Sequence, residues 1–154
     1  MSTIILTTVK WDEIQPIWAA KLWPKRNSAI DPNSAMVFNQ PDTYEIGNMH
    51  TVPTFLAVTY GGSILGVNSG HACTDGGYRS RGLWVHEQLR GTGYGKRLLI
   101  ATINQAQKEG CTYCWSFPRK SSWHAYKSAG FELVSDWSAS ETSEANAYCR
   151  IDLT

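Results

Sequence analysis

The sequence is short of the features that would assign a role by composition alone. Neither sign of charge is in excess: 14 Lys and Arg face 13 Asp and Glu, a formal net charge of +1. No global field therefore recruits nucleic acid or an anionic membrane surface, and any bound anion must be held by a local site. No segment approaches the roughly 18 consecutive apolar residues of a membrane helix. Met1-Ser2-Thr3-Ile4-Ile5-Leu6 lacks both a basic n-region and a long apolar h-region, so the expectation is a cytoplasmic protein without a secretory signal. Cysteine is scarce. In that compartment Cys73, Cys111, Cys114 and Cys149 are expected to be reduced and buried as small hydrophobes. Cys111-x-x-Cys114 is half of a zinc-site spacing, but no second Cys or His pair completes it, so it reads as structural and no metal is expected. Internal repeats, low-complexity tracts and linkers are also missing.

What remains is globular composition, 154 residues with 42% apolar and 18% charged, enough for one domain over 1–154 with a sizeable core. Ile4 to Val9 is rich in β-branched residues and reads as a strand. Ile14, Trp18 and Leu22 recur at four-residue spacing in a helical stretch from Trp11 that Pro24 ends. Residues 25–50, punctuated by Asn and Pro, read as loop with short helical pieces. Thr54 to Tyr60, Gly61-Gly62, and Ser63 to Ala72 signal a hairpin, and Asp75-Gly76-Gly77 turns into a further strand from Tyr78 to His86. From Gly95 the period switches to helix through Leu99, Ile103 and Ala106, with Gly110 as a left-handed cap. Cys111 to Phe117 reads as a strand. Ser121 or Ser122 caps a short helix through Trp123 and Tyr126 that ends at Gly130. Phe131 to Val134 and Tyr148 to Leu153 close the chain as strands. The order β-α-loop-β-β-β-α-β-α-β-β belongs to the α/β or α+β class.

The chemistry concentrates at Arg90-Gly91-Thr92-Gly93-Tyr94-Gly95-Lys96-Arg97. Alternating glycines between a strand and a helix start let a ligand approach the backbone. The helix start offers unpartnered N–H groups and partial positive charge, which together make an anion site. Basic flanks at a positive helix end repel each other unless an anion neutralises them. The segment is neither a Walker loop, Gly-x-x-x-x-Gly-Lys-Ser/Thr, nor a Rossmann Gly-x-Gly-x-x-Gly. It also follows about four strands rather than opening the first βαβ unit.

Arg90-x-x-Gly93-x-Gly95, after a Leu83-x-Val85 strand, resembles the coenzyme A pyrophosphate loop of the GNAT N-acetyltransferase superfamily. Tyr126-Lys127-Ser128-Ala129-Gly130-Phe131 is similar to that family's Tyr-x-x-x-Gly-Phe signature, and the element order matches over essentially the whole chain. The resemblance implies a mixed, mostly antiparallel sheet flanked by helices, with splayed central strands. It implies acetyl-CoA as co-substrate, its pyrophosphate held by Arg90, Gly91, Thr92, Gly93, Tyr94, Gly95 and Lys96. Leu83, Trp84 and Val85 would pair with the pantetheine, and the Val85 amide region would polarise the thioester carbonyl. Tyr126 would donate to the coenzyme A sulfur. The acceptor cleft would be lined by the first helix, residues 25–50 and the late strands.

Two positions depart from the family pattern: Arg119 stands where members often carry Asn, and Arg79 where some carry a glutamate base. His71, Glu87 and His124 are alternative bases, and the sequence does not choose among them. The activity implied is transfer of an acetyl group from coenzyme A to a primary amine, on a small molecule, a protein N-terminus or a lysine. A non-catalytic acyl-CoA sensor or scaffold is the alternative. No nucleic acid or membrane partner is expected, and a homodimer is left open. Trp11, Trp18, Trp23 and Trp137 are candidates either for an apolar acceptor wall or for core.

Overall fold

The computed structural model describes residues 3–138 and 144–153. Seven strands form one mixed sheet in the order β1-β2-β3-β4-β5-β7-β6. The strands are β1 (Ile4–Val9), β2 (Thr54–Tyr60), β3 (Ser63–Ala72), β4 (Gly77–Val85), β5 (Tyr113–Ser116), β6 (Glu132–Leu133) and β7 (Cys149–Asp152). Every neighbouring pair is antiparallel except β4 and β5. Those two are joined by the crossover helix α2 (Tyr94–Lys108), as a parallel pair requires. The sheet is therefore the mixed, mostly antiparallel one that the resemblance implied. Among the described residues, no helix is long and apolar enough to cross a membrane.

Helix α2 turns Leu98, Leu99, Thr102, Ile103 and Ala106 inward, the stripe expected from a 3.6-residue period. It ends in a Schellman arrangement. Gly110 sits at φ +78°, its N–H donates to the Gln107 carbonyl, and the Cys111 N–H donates to that of Ala106. Helix α3 (Trp123–Ser128) closes the same way through Gly130 and Phe131. Its start differs from the sequence expectation. Ser122 occupies the cap position in a helical conformation and its side chain makes no capping bond, while Ser121 binds the Glu144 carboxylate. A 3-10 turn, Lys120–Ser122, precedes α3 and takes over the role of a cap. Helices α2 and α3 cover one face of the sheet, meeting Tyr78, Cys114 and Cys149.

The other face is covered by α1 (Trp11–Ile17), which runs on as a π-turn over Trp18–Leu22. Pro16 lies inside α1 and has no N–H to donate, and the Trp23 N–H reaches back five residues to the Trp18 carbonyl. The widened turn keeps Ile14 and Trp18 fully buried against Phe55, Ala57 and Val67. Residues 25–50 are irregular, with a 3-10 helix at Ile46–His50 and an isolated bridge between Met36 and Tyr44. Buried Asn33 pins this segment by donating to the Asn48 and Thr51 carbonyls. The cysteines divide: Cys114 and Cys149 are core, whereas Cys73 and Cys111 are only partly buried.

One irregularity governs the sheet. Val67 faces Trp84 and Ser69 faces Arg81, so Gly82 and Leu83 together oppose Asn68 across a bulge. Gly82 takes φ +79°, and a Cβ built there would lie 2.2 Å from the Trp18 ring. The Trp18 Nε1–H donates to the Gly82 carbonyl at 2.9 Å. Strain and overlap therefore both forbid a side chain at residue 82. Gly82→Ala is expected to lower the urea midpoint by an amount equivalent to about 2 kcal/mol or more. Gly62, at φ +85° with nothing within 4 Å, supplies a control carrying strain alone. Equal losses for Gly82→Ala and Gly62→Ala would contradict the Trp18 contact.

Candidate functional site

The bulge determines where the sheet opens. Strand β4 pairs with β5 through Gly77, Tyr78 and Arg79, and no further. At the vertex the Ser116 hydroxyl donates to the Ser80 carbonyl at 2.7 Å. Beyond it β4 continues to Val85 without a strand neighbour on that side, while β5 ends and turns at Pro118. The central strands are therefore splayed, and a cleft of about 620 Å³ fills the gap. That volume lies within the usual range for small-molecule sites. Of the residues singled out from the sequence, Leu83, Trp84, Val85, Arg90, Gly91, Gly93, Gly95, Lys96 and Tyr126 line this one cleft. Thr92 and Tyr94 do not. Tyr94 packs its ring into the Leu56–Val58–Leu98 cluster, and the Thr92 hydroxyl turns back to the Leu89 carbonyl.

The glycine loop is built as an anion cradle. Gly91 and Gly93 take φ +77° and +90°, and a Cβ at either would meet nothing within 4 Å, so their outer side is open. The first backbone donor absorbed by α2 is Arg97, which bonds the Gly93 carbonyl. The N–H groups of Gly91, Gly93, Tyr94, Gly95 and Lys96 find no acceptor among the described residues. Such donors need a ligand or water. No acidic residue sits in the first turn to compete. Arg90 is tied down by donating from Nε to the Val85 carbonyl at 3.0 Å, which fixes the loop to the end of β4. These groups fit a diphosphate in donor number, charge and access.

Tyr126 reaches the vertex from α3. It is 2% exposed, packs edge-on against Phe131, and its hydroxyl lies 3.3 Å from that of Ser116. Ser116 gives its one proton to the Ser80 carbonyl, which can only accept, so across the longer contact Tyr126 is the donor to Ser116 Oγ and can turn the same proton toward a ligand. Burial holds the phenol well above its ordinary pKa, opposed by its contact with Ser116 and by the charge of Arg79. It is a hydrogen-bond donor throughout the physiological range.

The opposite end of the cleft is cationic. Lys21, Arg79, Arg81 and Arg119 line it, and among the described residues no Asp or Glu does. Arg119 donates to the Leu22 carbonyl and joins the turn after β5 to the end of the first helix. Asn146 lines the same wall and donates to the Phe117 carbonyl at 3.0 Å. Residues 25–50 do not line the cleft, contrary to the expectation. They stand behind it, where the Asp31 carbonyl accepts from Arg81 at 2.7 Å and Met36 Sδ lies 3.6 Å from Arg79. The tryptophans divide too. Trp23 lines the cleft, Trp11 and Trp18 are packed in the α1 core, and Trp137 meets Trp123 edge-on. Trp84, not singled out as an acceptor wall, is the second tryptophan in the lining.

Of the three candidate bases, only His124 lines the cleft. Glu87 lies in a 3-10 turn outside the lining. His71 is fully buried away from it, with Nε2 accepting from the Ser34 N–H at 3.2 Å and Nδ1 3.2 Å from the Ala72 carbonyl. That pattern needs a neutral ring with its proton on Nδ1. Among the described residues, no three His, Cys, Asp or Glu side chains come together to hold a metal ion.

The model of the acetyltransferase (GNAT) family matches residues 19–131, a span that contains the bulge, the glycine loop and Tyr126. The chain belongs to the GNAT acetyltransferase family. Solved structures agree on the fold. A GNAT-family acetyltransferase from Staphylococcus aureus superposes with a TM-score of 0.67 at 14% identity, over 99% of this chain and 100% of that one. A Bacillus subtilis acetyltransferase in complex with CoA gives 0.62 at 16% identity over 100% of both chains. An IAA acetyltransferase from Bacillus cereus gives 0.62 at 14% identity, over 98% of this chain and 100% of that one. No curated protein sequence matches the chain. Arg79, at the position where the resemblance led some members' glutamate base to be expected, is a buried cation in this GNAT chain.

His71 is expected to make the domain acid-sensitive. Burial, helped by Arg79 and Arg81, lowers its pKa from 6.5 to about 4. The unfolded chain then binds a proton that the native one refuses between those values, so stability is complete above about pH 6.5 and falls toward pH 4. The loss is on the order of 3 kcal/mol. His71→Gln is expected to flatten urea midpoints measured between pH 6.5 and 4.5. An unchanged slope would show that another group carries the acid sensitivity.

Proposed function

We propose that the protein is an acetyl-CoA-dependent N-acetyltransferase acting by direct attack of a primary amine, and that the splay between β4 and β5 is its active site. The observation that carries this reading is the convergence on one cleft of the loop amides of Gly91, Gly93, Gly95 and Lys96, without acceptors among the described residues, with Arg90 and Lys96 at one end and the Tyr126 hydroxyl at the vertex. The amides and cations of residues 90–96 hold the diphosphate, and the open edge of Leu83, Trp84 and Val85 offers backbone groups to the pantetheine. Bound there, acetyl-CoA supplies an activated thioester: a C–N bond forms, the C–S bond breaks, and one proton passes from nitrogen to sulfur.

The chain's own residues bear on each part of that change. Among the described residues no carboxylate lines the cleft, so the amine arrives neutral or loses its proton to cleft water. The positive wall of Arg79 and Arg81 disfavours an ammonium beside it and eases that loss. Tyr126 acts at the sulfur. A thiol is a stronger acid than this buried phenol, with an ordinary pKa near 8.5. The phenol therefore holds a hydrogen bond on the departing sulfur rather than surrendering its proton, and the neutralising proton comes from the amine through solvent. The same lack of a carboxylate favours a second reading, an acyl-CoA-binding domain without turnover.

Two substitutions test the proposal. Gly93→Val, where a side chain meets no protein atom but invades the cradle, is expected to keep the fold and abolish the rise in melting temperature caused by acetyl-CoA. A normal rise in that variant overturns the cradle. Tyr126→Phe removes one hydrogen bond to a developing charge, about 1.5–3 kcal/mol. It should cut kcat about 10- to 150-fold with acetyl-CoA affinity unchanged. A fall in affinity at constant kcat would make the hydroxyl merely structural. A wild-type protein that binds acetyl-CoA and releases no thiol with any amine would leave the non-catalytic reading.

A further inference from the structure

Arg79 and Arg81 are an expensive pair. They stand two residues apart on β4, so their side chains leave the same face of the strand. Arg79 is 7% and Arg81 6% exposed. Among the described residues neither has a carboxylate within 4 Å; the one ion pair joins Arg150 to Asp152. Buried cations are ordinarily paired, because an unpaired one forfeits its hydration and gains nothing in return. Here the surroundings give partial relief. Arg79 lies 4.5 Å over the Trp115 ring and donates from Nε to the Ser80 carbonyl. Arg81 lies 5.0 and 5.2 Å over Trp18 and Trp23 and donates to the Asp31 carbonyl. Arg79 also donates from Nη1 to the weak acceptor Met36 Sδ at 3.6 Å, and the remaining N–H groups of both guanidiniums have no oxygen acceptor among the described residues. Burial and mutual repulsion lower the pKa of Arg81 to about 9. Both side chains border the cleft, on the face covered by α1 and opposite that of α2 and α3.

We propose that Arg79 and Arg81 form a carboxylate subsite, and that the acceptor is a small amino acid whose carboxylate they hold while its amine faces the thioester. The inference rests on the acetyltransferase reading and names the substrate class for it. A guanidinium fork matches a planar carboxylate with two parallel hydrogen bonds, which neither a phenol nor a carbonyl can replace. The anion supplies what the fold withholds, a counter-charge for two desolvated cations. Leu22, Trp23 and Phe117 border the same end and suit an apolar or aromatic side chain. Polycationic amines are repelled by Lys21, Arg79, Arg81 and Arg119.

Matched acceptors provide the test: L-phenylalanine against phenethylamine, and L-leucine against isopentylamine, followed by thiol release from acetyl-CoA. The amino acids are expected to have kcat/KM at least tenfold above their decarboxylated partners. Arg81→Gln should collapse that preference by raising KM for the amino acid, and Arg81→Lys, which keeps charge without the fork, should fall between. The melting-temperature rise given by acetyl-CoA serves as the check that each variant is folded. N-acetyl-L-phenylalanine should raise the melting temperature of the wild type but not of Arg81→Gln, whereas its primary amide should raise neither. Equal or better turnover of the decarboxylated amines overturns the subsite and leaves the acetyltransferase reading standing. No turnover of any amine, with the N-acetyl-L-phenylalanine shift intact and lost in Arg81→Gln, supports the subsite while the catalytic reading fails. No turnover and no shift overturns the subsite as well.

Discussion

The indole of Trp18 occupies the space that a side chain at residue 82 would need, and the rest of the site follows from that exclusion. With glycine at a positive φ and its carbonyl held by the indole N–H, β4 carries one residue more than β3 across the bulge and bends. A bent β4 cannot stay paired with β5, so the sheet parts just beyond Arg79. The helix that bridges the two strands then presents its unpartnered N-terminal amides to the gap. A backbone constraint of this kind is robust because it needs one packed aromatic ring and one glycine rather than a network of loop contacts.

On the far side of the bulge, Asn68 keeps the opened sheet together. Its amide donates to the Ser80 hydroxyl and to Thr102 on α2, each at 2.9 Å, where all three residues are buried. β3, β4 and α2 are thus joined by polar contacts at the level where strand pairing fails. Ser116 and Tyr126 continue that polar line into the cleft. The α2 face of the vertex is therefore neutral and hydroxyl-rich, while the α1 face carries the guanidiniums. A reaction that must neutralise a sulfur on one side and discharge an ammonium on the other gains from such a division.

Much of this was legible in the sequence. The hairpin at Gly61-Gly62, the α2 stripe and the Gly110 cap are local signals, and each element formed where its residues indicated. The glycine loop was legible because its positive φ angles and open outer side are backbone features that glycine spacing reports directly. The acceptor wall was not. Residues 25–50 act by supporting Arg79 and Arg81 from behind, a role set by tertiary packing that leaves no local period. His71 was a fair candidate base by residue type, yet only the fold shows it sealed against the Ser34 N–H. Arg79 and Arg81 did carry a signal, since two cations on one face of an apolar strand are costly, but a period-2 reading becomes decisive only once both faces are known to be covered. Residues 139–143, in the polar segment between the last two strands, lie outside the described residues.

The most direct test of the account follows backbone amides during a titration with coenzyme A. In proton–nitrogen correlation spectra, the largest shifts are expected at Gly91, Gly93, Tyr94, Gly95 and Lys96, whose N–H groups lack acceptors among the described residues, and along the open edge from Gly82 to Val85. The amides of β1 and β2, remote from the splay, should stay in place. Shifts concentrated elsewhere, with the loop and the end of β4 unmoved, would contradict the claim that the parting of β4 from β5 creates the binding site.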